Sequence, residues 1–337
     1  MIILETIFKN IWKNKGVLFI LLTPFSILYF IIINFRYFLY KVGLFNKKKI
    51  NCPIIIVGNI FIGGTGKTPV VIWLVKLFKK NGFRPGVISK GYLSNSKEQK
   101  FVTKCMSPME VGDEPVLICQ KTDVPLVIGK NRVDAAEKLI SLVPDINLII
   151  SDDGLQHYSL ARDVEIQILD DRGYGNGWLL PAGPLRELKT RKSDFYLINS
   201  QSNFNNSSTN SSVFSLKFFG DRAFQLCNNK NIIELKKISK KLKIIAAAGI
   251  GNPNRFFEML KLQDIRLIKF MPLPDHYNFL ENPFKKISAD IILITDKDAI
   301  KCKYNKQLQN DYRLWVVPIE VYINDSFEKK ILEKICG

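Results

Sequence analysis

Residues 53 to 80 read PIIIVGNIFIGGTGKTPVVIWLVKLFKK and contain an apolar run, a glycine-rich loop and a helical pattern in immediate succession. Pro53–Val57 is short, apolar and followed by glycine, which is typical of a buried strand. Along Pro69–Lys80 the apolar residues recur on one helical face, namely Val70, Trp73, Leu74, Leu77 and Phe78. A loop between such a strand and such a helix is where parallel α/β proteins bind phosphate groups.

The loop Gly63–Thr68 reads GGTGKT. Its glycines allow successive backbone N–H groups to point at phosphate oxygens, and the helix N-terminus adds the positive end of its dipole. We expect Lys67 to reach the β- and γ-phosphates of ATP and Thr68 to place its hydroxyl on Mg²⁺. The full pattern GxxxxGK[ST] requires glycine where this chain has Phe61, so a glycine turn that only packs is the alternative. The predicted nucleotide-binding residues are Phe61, Ile62, Gly63, Gly64, Thr65, Gly66, Lys67 and Thr68.

A pair of carboxylates follows a second apolar run. Asn147–Ser151 is apolar at its centre and leads into Asp152 and Asp153. Phosphate-loop enzymes use a carboxylate at the end of a neighbouring strand to position magnesium. Two adjacent carboxylates repel one another, and a divalent cation relieves that repulsion. We therefore predict Thr68, Asp152 and Asp153 as magnesium ligands, with a solvated acidic turn as the alternative.

The remaining pattern predicts the architecture. Further strands are expected at Phe83–Ser89, Val124–Ile128, Leu148–Ser151, Glu165–Leu169 and Asp194–Asn199. Strands that alternate with helices predict a P-loop NTPase-like parallel sheet covered on both faces. The polar stretch Asn199–Ser212 is expected to be a surface loop. Beyond it, Leu242–Leu260 and Ala289–Thr295 indicate a smaller second α/β domain. The predicted divisions are 1–45, 46–212 and 213–337.

Residues 1–45 contain an apolar stretch of the kind found in membrane helices. Val17–Ile33 contains no charged residue, and a helix of that length reaches about 25 Å, just short of a bilayer core. Pro24 lies near its middle, and lysines and arginines flank both ends. These features suit an N-terminal membrane helix that spans the bilayer or lies in its interface. A buried core helix is the alternative.

The composition narrows the class of protein further. There are 49 Lys+Arg against 31 Asp+Glu, and the formal net charge of +18 favours an anionic partner such as a membrane surface or a phosphorylated substrate. Genome composition is a second explanation for the excess of lysine. The six cysteines include no CxxC pair, so cysteine-rich metal sites are not expected. No nucleic-acid-binding module is recognisable, and a nucleic-acid partner is not expected.

A series of segments is similar to those of one family, in the same order along the chain. They are VGNIFIGGTGKTP (57–69), PGVISKGY (85–92), VGDEP (111–115), SDDGLQH (151–157), DRGYGNGWLLPAGPLRE (171–187), AGIGNP (248–253), PDHYNF (274–279) and TDKDAIK (295–301). On these segments the chain resembles the tetraacyldisaccharide 4′-kinase family of lipid A biosynthesis. Lys90 stands where the family usually has arginine, and Asp296 where it usually has glutamate.

The resemblance implies an activity and a location. It implies transfer of the γ-phosphate of ATP, with magnesium, to the 4′-hydroxyl of a tetraacylated glucosamine disaccharide 1-phosphate. It also implies a site at the cytoplasmic face of a bacterial inner membrane. An anionic, acylated acceptor agrees with both the positive charge and the apolar N-terminus.

The resemblance also implies residue roles. The family's acid–histidine pair corresponds to Asp113 and His276, which join Lys67 as the expected catalytic residues. An isolated aspartate, with a pKa near 3.9, is too acidic to deprotonate a sugar hydroxyl efficiently, and a histidine partner can orient it. Glu187 is expected to join the magnesium shell and Arg186 to neutralise phosphate charge, although the two could form a structural ion pair instead. Glu114, Lys90 and Arg186 are the expected substrate contacts.

A membrane-docked P-loop ATPase or GTPase that acts as a switch is the alternative from another class. A GTPase should carry [NT]KxD to bind guanine. Thr295–Asp298 reads TDKD, which has similar letters in a different order. The sequence therefore favours the kinase.

Overall fold

The structure is a computed structural model that describes residues 8, 10–14, 16–91, 98–199 and 212–337. The predicted surface loop Asn199–Ser212 lies outside the described residues, apart from its two ends. The strands are β1 Ile54–Gly58, β2 Pro85–Ser89, β3 Lys100–Val102, β4 Leu126–Ile128, β5 Leu148–Asp152, β6 Val164–Asp170, β7 Phe195–Asn199, β8 Val213–Phe219, β9 Arg222–Gln225, β10 Ile232–Glu234, β11 Ile244–Ala248, β12 Leu267–Pro272, β13 Ile291–Thr295, β14 Leu314–Val317 and β15 Glu320–Ile323. The helices are α1 Val17–Lys41, α2 Lys67–Lys80, α3 Pro108–Val111, α4 Asp113–Thr122, α5 Arg132–Leu142, α6 Pro253–Lys261, α7 Asp296–Cys302, α8 Lys306–Gln309 and α9 Asp325–Cys336.

The larger sheet confirms the predicted fold class. Its strand order is β15-β8-β7-β6-β1-β5-β2-β4-β3, and its central strands run parallel, with β1 between β5 and β6. Every residue of β1, β2 and β5 is buried, because helices cover both faces of the sheet. Helix α2 packs against one face and α5 against the other. Burial on both faces explains why these strands are continuous apolar runs.

A smaller sheet has the order β10-β9-β14-β13-β11-β12. Strands β12, β11, β13 and β14 are parallel, while β9 and β10 form an antiparallel edge. Helix α6 follows β11, and α7 follows β13. The second α/β unit predicted from the sequence is therefore present.

The division between the sheets differs from the expected boundary before residue 213. Strand β8 pairs in parallel with β7 in the larger sheet, and β15 pairs with β8. Phe327 and Ile331 of α9 are buried in the core of that same sheet. The chain therefore leaves the larger sheet after β8, forms the smaller one, and returns. Local patterns do not show this return, because it depends on main-chain pairing between distant segments.

Helix α1 lies on the outside of the molecule. Among the described residues it is the one helix long and apolar enough to cross a membrane, and very little of it is buried. Ile20, Phe25 and Ile31 are at least half exposed. This exposure contradicts the alternative of a buried core helix. Ser26 is the buried residue of the helix.

Candidate active site

The loop between β1 and α2 has the geometry of a phosphate-binding loop. Gly63 and Gly66 have φ angles of +94° and +92°, a region that favours glycine. A Cβ atom at Gly66 would lie 2.2 Å from the ring of Phe218. Both this clash and the positive φ angle exclude a side chain at that position. Helix α2 begins at Lys67, directly after the loop, and its N-terminus faces the loop. Thr68 is buried at this helix start.

The side chain of Lys67 points towards the acidic pair. Its Nζ donates to Asn59 Oδ1 at 3.3 Å and lies 3.5 Å from Asp153 Oδ1. Asn59 in turn donates from its side-chain amide to the carbonyl of Gly63 at 3.2 Å. Asn59 thus links the lysine to the loop, a role that the sequence analysis missed. Its position immediately after β1 is the signal that could have identified it.

Asp152 is a buried carboxylate with an unused oxygen. It ends β5 and pairs in register with Val57 of β1, which places it beside the loop. Ser89 donates to its Oδ2 at 3.4 Å, whereas Oδ1 has no hydrogen-bond partner. Burial, reinforced by repulsion from Glu114, raises the pKa of Asp152 to about 7. An unsatisfied buried carboxylate oxygen next to a phosphate loop fits a magnesium ligand.

Asp153 is ionised and held by two cations. Arg186 donates to both of its carboxylate oxygens, at 2.9 Å and 3.1 Å, and Lys67 lies on the same side. Burial opposes ionisation, but Lys67 and Arg186 outweigh it, and the pKa of Asp153 lies below its usual range. The sequence placed these three residues in one site, and the structure brings them together.

The described part of the chain holds no group of three or more His, Cys, Asp or Glu side chains arranged to bind a metal ion. Mg²⁺ commonly binds proteins through one or two carboxylates, completing its shell with phosphate oxygens and water. Thr68, Asp152 and Asp153 agree with that type of site.

Glu187 is placed elsewhere. Its carboxylate oxygens lie 2.8 Å and 2.7 Å from the Tyr158 hydroxyl, and Arg191 Nη1 is 3.7 Å from Oε1. Burial raises its pKa. Glu187 therefore does not lie beside Asp152 and Asp153. The alternative of an ion pair between Arg186 and Glu187 is not observed either, because Arg186 pairs with Asp153. The two consecutive side chains have different partners, which a linear motif could not reveal.

The acid–histidine pair joins the two sheets. Asp113 begins α4 of the larger unit, and His276 lies in the loop after β12 of the smaller one. Nδ1 of His276 is 3.1 Å from Oδ1 of Asp113 and 3.0 Å from Oδ2. Asp113 is buried, yet Lys297 and His276 outweigh the cost of burial, and the pKa of its carboxyl is well below the usual range.

Two lysines from α7 complete this cluster. Lys301 Nζ lies 3.6 Å from Asp113 Oδ2, and Lys297 Nζ lies 2.9 Å from Glu114 Oε1. Burial lowers the pKa of Lys297, but Glu114 and Asp113 more than compensate and leave it raised. Neither lysine is among the site residues predicted from the sequence. Their spacing of four residues places them on one helical face, which was a usable signal.

The TDKD segment is a helix cap. Asp298 is buried and accepts from Thr295 Oγ1 at 2.8 Å and from the Gly249 backbone N–H at 3.0 Å. Thr295 Oγ1 in turn accepts from the backbone N–H of Asp298. The Asp298 carboxylate is buried and takes part in this cap, so the segment gives no support to the GTPase alternative.

The smaller unit also touches the phosphate loop directly. A Cβ atom at Gly251 would lie 2.3 Å from the backbone nitrogen of Gly64, so the two backbones are in close approach. Arg255 of α6 donates to the carbonyl of Thr65 at 3.1 Å, and Arg172 donates to that of Gly64 at 3.0 Å. The carboxyl ends of both parallel sheets thus face each other across one junction, the usual position of ligands in open α/β sheets.

The other expected contact residues border this junction. The Arg172 guanidinium lies 4.4 Å from the centre of the Phe61 ring, and Ile62 is partly exposed. Lys90 follows β2 directly and is exposed. Phe61, Ile62 and Lys90 all follow the carboxyl end of a strand in the larger sheet. They therefore lie at the same edge of the sheet as Asp152 and Asp153.

The chain is similar to known proteins over almost its whole length. The family model described as Tetraacyldisaccharide-1-P 4'-kinase matches residues 18–336. The chain is 44% identical over 346 residues to the tetraacyldisaccharide 4'-kinase of Herminiimonas arsenicoxydans, covering 99% of this chain and 96% of that one. It is 42% identical over 320 residues to the enzyme of that name from Haemophilus influenzae, covering 94% and 92%.

A solved structure is also similar. LpxK from Aquifex aeolicus, in complex with ATP, has a TM-score of 0.76 and 30% identity, covering 95% of this chain and all of that chain. The fold, the segment order and the sequence identity all lead to one family. The chain therefore belongs to the tetraacyldisaccharide 4′-kinases, the ATP-dependent phosphotransferases of lipid A biosynthesis.

Proposed function

We propose that this kinase joins ATP and its lipid acceptor at the junction between the two sheets. There it transfers the γ-phosphate of ATP to the 4′-hydroxyl of a tetraacylated glucosamine disaccharide 1-phosphate. One observation carries the proposal. Asp113, from the unit with the phosphate loop, is paired at 3.0 Å with His276 from the other unit. A base held across the junction can meet an acceptor that enters between the units.

The nucleotide is bound by residues 61–68, with Lys67 on the β- and γ-phosphates. Thr68, Asp152 and Asp153 would hold the magnesium ion, which when bound would neutralise charge on those phosphates. Arg186 already pairs with Asp153 beside Lys67 and supplies a further cation for the transferred group. Glu187 is not part of this set, because its carboxylate is engaged by Tyr158.

The acceptor oxygen attacks the γ-phosphorus while the bond from that phosphorus to the β–γ bridging oxygen breaks. Asp113 accepts the hydroxyl proton. His276 orients the carboxylate through Nδ1, and Lys301 lies 3.6 Å away and stabilises its ionised form. A strongly basic group is not required, because phosphoryl transfer has a loose transition state that relies mainly on positioning and charge. Glu114, held by Lys297, and Lys90 contact the acceptor.

The acceptor is reached from a membrane surface. The apolar side chains of α1 are exposed along its length, and Arg36 and Lys41 lie towards its end. Burial of these exposed apolar side chains in lipid is favourable, and the basic residues beside them bind anionic headgroups. We place the site at the cytoplasmic face of the inner membrane, where ATP is present.

The test is incubation of the full chain with labelled ATP and a tetraacyldisaccharide 1-phosphate, followed by thin-layer separation of the lipids. We expect label in the lipid with the unmodified chain and none with Lys67→Ala, whose fold is verified by circular dichroism. Phosphate release that is equally fast without acceptor, with no labelled lipid, would identify an ATPase and overturn the proposal.

A further inference from the structure

The N-terminal helix does more than present an apolar surface. Its single buried side chain, Ser26, donates from Oγ to the carbonyl of Leu179 at 2.8 Å and accepts from the Ala182 N–H at 2.9 Å. Trp12, before the helix, donates from Nε1 to the carbonyl of Pro181 at 2.9 Å. The main chain of the segment from 178 to 186, here called the bridging segment, is thus hydrogen-bonded to side chains of the N-terminal region.

The bridging segment ends at Arg186. The hydroxyl of Tyr29, one turn beyond Ser26, donates to the main-chain carbonyl of Arg186 at 3.2 Å. On its other side the backbone N–H of Arg186 donates to the carbonyl of Ile60 at 2.7 Å, in the connection between β1 and the phosphate loop. The main chain of Arg186 is therefore held between helix α1 and the segment that leads into the phosphate loop.

The guanidinium of the same residue is in the active site. It donates to both carboxylate oxygens of Asp153 and to the carbonyl of Asn59 at 2.9 Å. Holding the backbone of an arginine limits where its guanidinium can reach, and catalytic groups lose effect when displaced by about 1 Å. A path of direct contacts thus runs from Tyr29 through Arg186 to Asp153.

The chemistry of the helix supports a role separate from lipid binding. Ser26 and Tyr29 are three residues apart and lie on one face, whereas Ile20, Phe25 and Ile31 are exposed elsewhere. A hydroxyl gains little from lipid, and a buried one needs a partner. The hydroxyls of Ser26 and Tyr29 both have their hydrogen-bond partners in the bridging segment.

We propose that Ser26 and Tyr29 are positioning residues for phosphoryl transfer, which hold Arg186 in place from the membrane helix. The inference rests on the role proposed for Arg186 above. It makes the helix a structural part of the active site in addition to a membrane anchor.

The test compares Tyr29→Phe with Tyr37→Phe on the same helix. The Tyr37 ring packs edge-on against Tyr158, a contact that does not use its hydroxyl. With detergent-dispersed acceptor we expect Tyr29→Phe to lower kcat roughly three- to tenfold, the range for one hydrogen bond, with the KM for ATP and membrane partitioning unchanged. Tyr37→Phe should retain the original kcat. Equal kcat in both variants would overturn the proposal.

A double-mutant cycle with Arg186→Ala decides whether the effect passes through Arg186. We expect Tyr29→Phe to have no further effect in the Arg186→Ala background, because the group that it positions is gone. Multiplicative losses would overturn the positioning role while leaving Arg186 catalytic. Full turnover of Arg186→Ala alone would instead refute the role of Arg186 in the proposed mechanism, so the two failures are distinguishable.

Discussion

Nδ1 of His276 lies 3.0 Å from Oδ2 of Asp113, although 163 residues separate them in the chain. The contact connects a loop of the smaller sheet to the first turn of a helix packed on the larger one. Any change in the relative position of the two units therefore alters this pair. The pair is the first target for mutation.

Asp113→Asn and His276→Ala should each reduce turnover by about 10²–10⁴, the usual range for general-base assistance. Asparagine keeps the size of Asp113 but cannot accept the sugar proton, and the proposed nucleotide site is the separate loop at 61–68. Single-turnover kinetics and a nucleotide titration measure the two effects. We expect the double variant to lose little beyond the worse single variant, since coupled groups are non-additive. Near-normal turnover in Asp113→Asn would contradict its role as base.

The raised pKa of Asp152 predicts a pH dependence. With its pKa raised to about 7, the Asp152 carboxyl of the folded, metal-free protein is expected to ionise around that pH, whereas in the unfolded chain it ionises near pH 4. The folded state therefore binds more protons between these values, and the contribution of Asp152 to stability is lost as pH rises through that window. Magnesium affinity should rise over the same window, because the ion requires the carboxylate.

Asp152→Asn tests both consequences at once. At pH 8 without magnesium the variant should be more stable than the original chain, on the order of a few kcal/mol, because no buried charge forms. Its magnesium-dependent transfer should be lost. Thermal melts at pH 5 and pH 8 measure the first effect, and the gain should shrink at pH 5. If the variant were less stable than the original chain at pH 8, the ionised Asp152 carboxylate would be stabilised by its surroundings, contrary to this prediction.

Removal of residues 1–41 should abolish membrane binding and also lower turnover on detergent-dispersed acceptor, because the contacts of Ser26 and Tyr29 are removed with it. The control is the double substitution Ile20→Asn and Ile31→Asn, which alters exposed positions of the same helix. It should weaken activity on vesicles and spare activity in detergent. Flotation assays and parallel kinetics in the two media separate the effects. Unchanged detergent turnover after the deletion would limit the helix to anchoring.

Gly251→Ala should raise the KM for ATP at least severalfold. The new methyl group would lie 2.3 Å from the backbone nitrogen of Gly64, and backbone at that position has little room to move. Gly16→Ala is the matched control, since an added Cβ there meets nothing within 4 Å. Kinetics at varied ATP provide the measurement. An unaltered KM in Gly251→Ala would indicate that the two units separate when nucleotide binds.

Much of the proposed nucleotide site could be predicted without coordinates. The strand, glycine loop and helix at 53–80 follow from apolar periodicity and from glycine's freedom at positive φ, which depend only on near neighbours. Asp152 and Asp153 could be assigned to the same site because the carboxyl ends of adjacent parallel strands meet at one edge. The pairing of Asp113 with His276 was implied by family resemblance and by no local pattern.

Other features depended on contacts between distant residues. Arg186 and Glu187 are consecutive, yet one pairs with Asp153 and the other with Tyr158, because adjacent side chains face different surroundings once the segment is packed. Likewise, β15 returns to the larger sheet through main-chain hydrogen bonds with β8. Such bonds do not depend on the identity of the side chains, so the sequence does not predict them. Local periodicity in the sequence is sufficient to define each strand, loop and helix. Which of them meet, and hence that the Tyr29 hydroxyl reaches the main-chain carbonyl of Arg186, is decided by long-range packing that no short segment encodes.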